Sequence, residues 1–575
     1  MKLVRLFLVL LAVQLSTVYL FGADATSKRP NIVLVMADDM GYTDIGCYGS
    51  EIKTPELDKL AAGGVRFTQF YNTSRCCPTR AALLTGLYSH QAGIGLMTGD
   101  NGYDAYRGDL NTKCVTLAEV LGNSGYRTYM AGKWHVTKHT RPEGPNHNWP
   151  LQRGFDRFYG TIIGAGSFWD PATLCRDNAF ITPVNDSQYQ PETYYYTDAI
   201  SDNAVTYVAD HFETQEEDTP FFLYVSYTSA HWPMHALPED IEKYKGKYDA
   251  GWEAIRAARY QRQLDMGLID PKWKLSGRDA EAWKDAKNKE WEIRLMEVYA
   301  AMVDRLDQGL GNVIDALEER KMLDNTLIMF IADNGGCAEG MGRKEGIQYK
   351  DSDPDILRPM KATDLQMDMI PRRTRDGVVV KQGTEVMTGG DDTYHGYGKA
   401  WANVSNTPFR EYKHWVHEGG ISTPLVAHWP KGIAPKLRGK FEHQPAHLID
   451  LMATCVDLAN AEYPKEVKGQ KIVPLQGVSL KPTFSGKELG RKKPIYWEHE
   501  GNRAVRKGNY KLVAMHDAPW ELYDMNKDRS ELNDLSKKMM GKAKELRLLY
   551  EAWAKRVGAF SWNEVMVTRK KKIKK

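Results

Sequence analysis

The sequence predicts an α/β protein: one large mixed sheet sandwiched by helices, followed by a smaller C-terminal antiparallel sheet with its own helix. Three observations predict this. Asn31–Met36, Phe221–Tyr227 and Asn325–Ile331 are unbroken apolar runs of strand length, the pattern of strands buried on both faces. Between them lie amphipathic, charged stretches at helical spacing. Beyond residue 495, short β-rich segments recur at hairpin spacing. At 575 residues, 42% hydrophobic and 26% charged, the chain has the composition of a folded globular protein. A net charge of +3 gives no footprint for nucleic acid. The seven cysteines are too few and scattered for a disulfide scaffold. Leaving Cys76 aside, six could pair, with connectivity open; Cys455 falls in an apolar helical pattern and reads as buried.

Residues 1–25 read as a signal peptide. Lys2 and Arg5 precede an apolar stretch from Leu6 to Phe21, and Ala23-Asp24-Ala25 is a small-x-small cleavage site. Gln14, Ser16 and Thr17 make that stretch poor as a span, although an uncleaved anchor is the second reading. The protein is therefore expected to be exported, periplasmic or extracellular, without stable membrane insertion. Two regions follow, 26–462 and 463–575. The first strand ends in Asp38-Asp39. Two adjacent carboxylates there are either both solvated or gathered around a hard cation at the C-terminal sheet edge. Thr54-Pro55 starts a helix with threonine at the N-cap and proline in the first turn. Asn72-Thr73-Ser74 matches a glycosylation sequon but stands next to a more pointed segment.

That segment is Cys76-Cys77-Pro78-Thr79-Arg80, followed by Ala81-Ala82-Leu83-Leu84-Thr85-Gly86. No second pair follows at zinc spacing, and a bridge between neighbours would be strained. The apolar run closed by glycine predicts a helix, with Cys76 at its positive end and Arg80 one turn on, which suits an anion. Thr116–Leu121 predicts a helix and Tyr126–Met130 a strand leading to Lys133 and His135, which in extended backbone would point the same way. The third strand ends near His231, with His235 a rival. Arg256–Met266 and Ala280–Arg305 are amphipathic. The fourth strand ends in Asp333-Asn334, which with Asp38 and Asp39 makes four oxygen ligands, a set for Ca²⁺ or Mg²⁺ and not for zinc. Residues 338–407 form a long polar excursion whose aromatics around Tyr394 and Tyr397 read either as a platform for stacking on a sugar or as part of a plain solvated loop. Pro424–Pro430 is expected to close the sheet, Leu448–Ala459 to be helical, and Tyr463–Pro474 to be a linker. A helix is expected from Glu531 to Lys555, and the basic tail Arg569–Lys575 to be a disordered, solvated end.

The Cys76–Gly86 stretch resembles the sulfatase signature, Cys-x-Pro-Ser/Thr-Arg with a Leu-Thr-Gly close. Gly132-Lys133-Trp134-His135, the two acidic strand ends and Trp520-Glu521-Leu522-Tyr523-Asp524 are similar to further segments of that family. The resemblance spans roughly residues 29–560. It implies an alkaline-phosphatase-like fold and hydrolysis of a sulfate ester. It implies that a maturation enzyme converts Cys76 to Cα-formylglycine, and that Asp38, Asp39, Asp333, Asn334 and the converted Cys76 hold a divalent cation, Ca²⁺ or Mg²⁺. Arg80 and Lys133 would contact the sulfate, Lys413 would bridge sulfate and leaving oxygen, His231 would protonate the leaving alcohol and His135 would assist release. The hydrated aldehyde makes chemical sense: one hydroxyl attacks sulfur and the other ejects sulfate, whereas serine would keep a stable ester. Glu411-Tyr412 departs from the family's Gly-Gly and is expected to bulk the pocket wall. The substrate would be a sulfated small molecule or glycan. Two other readings compete: a phosphodiester or phosphonate monoester hydrolase on the same scaffold, and a non-enzymatic binder of sulfated glycans, which would show broken catalytic positions.

Overall fold

A computed structural model describes residues 28–344 and 357–573; the signal segment, part of the 338–407 excursion and the last two lysines lie outside them. The apolar runs all enter one eleven-stranded mixed sheet. Its strands are β1 (Asn31–Ala37), β2 (Val65–Tyr71), β3 (Arg127–Gly132), β4 (Arg157–Thr161), β5 (Leu174–Arg176) and β6 (Ala179–Phe180). They continue with β7 (Phe221–Ser226), β8 (Thr326–Ala332), β9 (Ser422–His428), β10 (Lys440–Glu442) and β11 (Ala446–His447). The order is β10-β2-β9-β8-β1-β7-β3-β4-β5-β6, with β11 also on β2. β1 lies parallel between β7 and β8, with Val33 opposite Leu223 and Ile328.

Alternation along β1 explains its run of apolar residues. Val33, Val35 and Ala37 enter one core with Tyr299, Met302 and Val303 of the Lys289–Glu319 helix. Ile32, Leu34 and Met36 enter another with Leu83, Leu84 and Leu451. A strand covered on both faces has no polar side. Each such side chain contributes roughly 1.5–3 kcal/mol relative to exposure.

The segment 424–430 does not close the sheet. β9 is interior and antiparallel to both β2 and β8. Pro424 is tolerated there because the β2–β9 register breaks between Phe67 and Phe70, opposite it, so no ladder bond is asked of its missing N–H. The long amphipathic helix runs Lys289–Glu319 rather than starting at Ala280, where a short 3-10 turn and a left-handed Asn288 (φ 52) intervene. Thr54 sits at the N-cap of Pro55–Gly63 but does not cap it. Its hydroxyl accepts from Gly46 N, while the helix's free N–H groups at Glu56 and Leu57 donate to Asp307, at 3.0 and 2.8 Å.

The C-terminal sheet joins β14 (Ile495–His499), β15 (Asn502–Lys507), β16 (Tyr510–Ala514) and β17 (Glu521–Asp524) in sequence order, after the small hairpin of β12 (Glu466–Val467) and β13 (Gln470–Lys471). The expected linker thus carries that hairpin, and its Ile472 is buried in the second core together with Leu512, Leu522 and Leu546. The last long helix starts at Met540, not Glu531, because Glu531 is drawn into a buried pair with Lys511, 2.8 Å away. The basic tail continues a helix, Trp562–Ile573, docked through Val565 against Leu96 and Tyr106. No helix among the described residues is long and apolar enough to cross a membrane.

Candidate active site

β1, β3, β7 and β8 run parallel, β9 runs against β8, and β2 runs against β9. One sheet edge therefore receives the C-terminal ends of β1, β2, β3, β7 and β8 together with the entry to β9. That edge is where an open α/β sheet offers a crevice. The ten residues predicted for the site come from these ends.

Cys76 opens the helix Cys76–Thr85, at the end that favours negative charge. Thr79, also in the signature, accepts from Thr73 N (3.1 Å) and donates to the Asp333 carbonyl (2.7 Å), tying the helix start to the end of β8. Arg80 is fully buried, with Nη2 3.4 Å from both Asp38 and Asp333 carboxylates and Nη1 donating to the Lys133 carbonyl and to Ser226. Lys133 Nζ bonds Asp38. Lys413 Nζ lies 2.8 Å from Asp39 Oδ2 and 3.3 Å from His231 Nε2. Asn334 donates to Asp39 Oδ1 at 2.7 Å, and Asp333 accepts the Asp39 backbone N–H at 3.0 Å. Three carboxylates thus face three cations in one buried cluster.

Burial would raise Asp38, but Lys133, His231 and Arg80 hold it well below the usual carboxylate range. Burial together with the charges of Asp38 and Asp39 pushes Asp333 well up. The hydrogen bond from Cys77 drives the Cys76 thiol well down, with His135 and Lys133 assisting. His231 Nδ1 donates to the Trp232 carbonyl (2.7 Å), which turns Nε2 toward Asp39, 3.4 Å away. Burial lowers the His231 pKa, Asp39 opposing.

The cluster suits a hard cation. Asp38 Oδ1 and Asn334 Oδ1 are buried acceptors without a hydrogen-bond partner, each costing about 1–3 kcal/mol unless something positive meets them. Every donor in the set Asp38, Asp39, Asp333 and Asn334 is oxygen, as Ca²⁺ or Mg²⁺ requires.

His135 does reach the site, by a route other than extended backbone. It is left-handed (φ 54), its Nε2 lies 3.1 Å from Cys77 Sγ, and Gly164 makes room: a Cβ there would come within 2.1 Å of the ring. His235 lies elsewhere, with Nε2 bonded to the Thr393 carbonyl and burial holding its pKa at about 3. Asn72 of the sequon is buried and bonded to Thr423. Tyr394 and Tyr397 are core residues, the latter stacked 4.4 Å from Tyr299, so neither is free to meet a sugar. Tyr412 does not bulk the pocket wall. Its hydroxyl bonds Asp279, away from the cleft, and Glu411 takes a left-handed φ of 65 where glycine would be at ease. All seven cysteines are buried free thiols. Above the cluster opens a cleft of about 840 Å³ lined by Arg75, Cys76, His135, His231, Trp232 and Lys413 among others.

The family model described as Sulfatase matches residues 30–461, three quarters of the chain. The chain belongs to the sulfatase family. It is accordingly a sulfuric ester hydrolase, and a second model, N-sulphoglucosamine sulphohydrolase, C-terminal, matches residues 410–552. This sulfatase is 32% identical to an uncharacterized sulfatase of Schizosaccharomyces pombe, over 92% of this chain and 95% of the relative. It is 28% identical to an arylsulfatase of Klebsiella aerogenes, over 84% and 98%. Among solved structures, Ps i-CgsB in complex with k-i-k-neocarrahexaose superposes with a TM-score of 0.61 at 24% identity, covering 92% of this chain and 93% of that one. That likeness speaks for the alkaline-phosphatase-like fold.

The sulfatase also carries residues at the cleft that sequence reasoning missed. Glu339 accepts from Arg75 (2.7 Å) and from Trp232 Nε1 (2.9 Å), and lies 3.7 Å from Lys413. Lys413 and Arg75 overcome its burial and hold it well below the usual range. It stands seven residues past the end of β8 in a stretch without periodicity, so no pattern announced it.

Proposed function

We propose that the sulfatase acts on a sulfated carbohydrate through a formylglycine derived from Cys76 and a divalent cation, Ca²⁺ by preference and Mg²⁺ by substitution, held by Asp38, Asp39, Asp333 and Asn334. The single observation carrying this reading is the pair of orphaned buried oxygens, Asp38 Oδ1 and Asn334 Oδ1, in a cluster whose Lys133 both bonds Asp38 and acts on the Cys76 thiol. The converted side chain supplies two hydroxyls on one carbon, one for attack on sulfur and one for release of sulfate. A bound cation would favour ionisation of the attacking hydroxyl and neutralise charge on sulfate oxygens.

The chain's own residues do the rest. Arg80, Lys133 and Lys413 meet the sulfate oxygens as charge shifts among them. His231 Nε2 carries the proton to the leaving alcohol, its ring held by the Nδ1–H bond to Trp232. His135 Nε2 takes the proton of the second hydroxyl. The named oligosaccharide in the Ps i-CgsB structure supports a carbohydrate as substrate, and the signal segment supports its being met outside the cytoplasm.

The test is mass spectrometry of the tryptic peptide Cys76–Arg80 from protein made in its own host, with turnover of 4-nitrophenyl sulfate before and after chelation. An aldehyde mass, sulfate turnover lost on chelation and its recovery with Ca²⁺ are expected. A plain thiol in active enzyme, or preference for a phosphate diester, would overturn the proposal.

A further inference from the structure

Apart from the cleft, two loops bring Asp109, His139 and His147 together with one ligand atom each, all within 4.8 Å of one another. Asp109 Oδ2 lies 3.2 Å from His147 Nε2 and 3.6 Å from His139 Nε2, and the two rings are 5.2 Å apart, centroid to centroid. Nitrogen and oxygen ligands at about 2.0–2.2 Å from a tetrahedral ion stand at much these separations from one another. The carboxylate is under-used as it stands. Asp109 is 92% buried, being 8% exposed, and its Oδ1 has no hydrogen-bond partner.

The loops are held from behind. Trp149 is buried, and its Nε1 donates to the His139 carbonyl at 2.8 Å. Asn148 donates to the Leu110 carbonyl at 2.7 Å, next to Asp109. Gly144 N bonds the Arg141 carbonyl, closing the turn between the two histidines. The ligand end is open by contrast: the His147 side chain is 58% exposed. Two imidazoles and one carboxylate on a rigid backing, with a side open to water, suit a borderline transition ion and not the all-oxygen preference of calcium.

The geometry points to a second metal site, in which Asp109, His139 and His147 bind Zn²⁺ or a divalent ion of that class and staple the 109 and 139–147 loops together. It is independent of the sulfate site and shares no residue with it.

The test uses the full protein with Ca²⁺ present and Zn²⁺ as the probe, comparing wild type with His147→Ala and His139→Ala. Bound zinc after dialysis, thermal stability with and without Zn²⁺, and the Co²⁺ spectrum are read. The wild type is expected to bind one zinc more than either variant, roughly 100-fold or more tightly than what remains in them, and to gain melting temperature that the variants do not. The Co²⁺ complex should lack a thiolate band. Equal zinc stoichiometry in all three proteins, or a thiolate band lost with Cys76→Ser, would overturn the site. His147 is exposed, so its loss leaves the fold and the sulfatase turnover to be measured in the same sample.

Discussion

Among single residues, Lys413 is the sharpest test of the cleft. Its ammonium stands 2.8 Å from Asp39, 3.3 Å from His231 and 3.7 Å from Glu339, nearly without solvent. Replacement by alanine removes the cation from two carboxylates and from His231, the histidine proposed to protonate the leaving group. We expect kcat/KM on 4-nitrophenyl sulfate to fall by about 10²–10³-fold, the scale of one preorganised electrostatic contact, and the melting temperature to fall as well, because buried Asp39 loses its partner; unchanged turnover of the folded variant would remove Lys413 from the reaction. Residues of this kind were legible because they stand at strand ends: Asp38-Asp39 and Asp333-Asn334 follow continuous apolar runs, and a charged pair there is conspicuous. Glu339 was not legible. Its role comes from Arg75, Trp232 and Lys413 meeting it in space, and no local pattern encodes that meeting.

At the scale of elements, buried strands read well from sequence because both faces must be apolar, whereas helix starts read poorly because tertiary partners can replace or override local caps. Two starts show this. Glu531 has helix-compatible neighbours, yet its pair with Lys511 and a left-handed φ of 59 hold it outside the helix. Thr54 has the right type and position for a cap but spends its hydroxyl on Gly46. The capping is done by Asp307, from 250 residues further along the chain, through bonds to both Glu56 N and Leu57 N. Asp307→Ala should therefore lower stability by about 1–2 kcal/mol, as loss of a side-chain cap does, while Thr54→Ala should disturb the Gly46 turn instead. Denaturant unfolding of both variants decides it: an Asp307→Ala midpoint equal to wild type would mean that solvent satisfies those two donors as well. Where the local signal was honoured, as in the Thr116/Glu119 capping box, sequence and structure agree.

Across the whole molecule, the C-terminal sheet is joined to the main sheet by the second apolar core and by a fully buried ionic knot. Glu418, just before β9, accepts from Lys511 of β16 (3.0 Å), from Arg529 (2.9 Å) and from Tyr71 of β2 (2.9 Å). Lys511 also pairs with Glu531, whose other oxygen accepts Glu418 N at 2.8 Å. The sequence hid this joint, since the three side chains bonded to Glu418 lie 93, 111 and 347 positions from it. Burial alone would raise the Glu418 pKa; Lys511, Arg529 and Arg506 outweigh it and bring the carboxyl down to about 2. A folded pKa depressed from the ordinary 4.5 means that its share of stability is complete above about pH 4.5. That share is lost as pH falls through 4.5 toward 2, where the folded state must also take the proton. Wild-type stability followed by denaturant midpoint from pH 7 to pH 3 should therefore fall over that acid window. Glu418→Gln should be about 3–5 kcal/mol weaker at pH 7, because it strands buried cations, and should show a shallower decline on acidification, having no proton left to take up at this position. A variant as stable as wild type at neutral pH, or one with the same acid slope, would mean that the apolar core alone joins the two sheets.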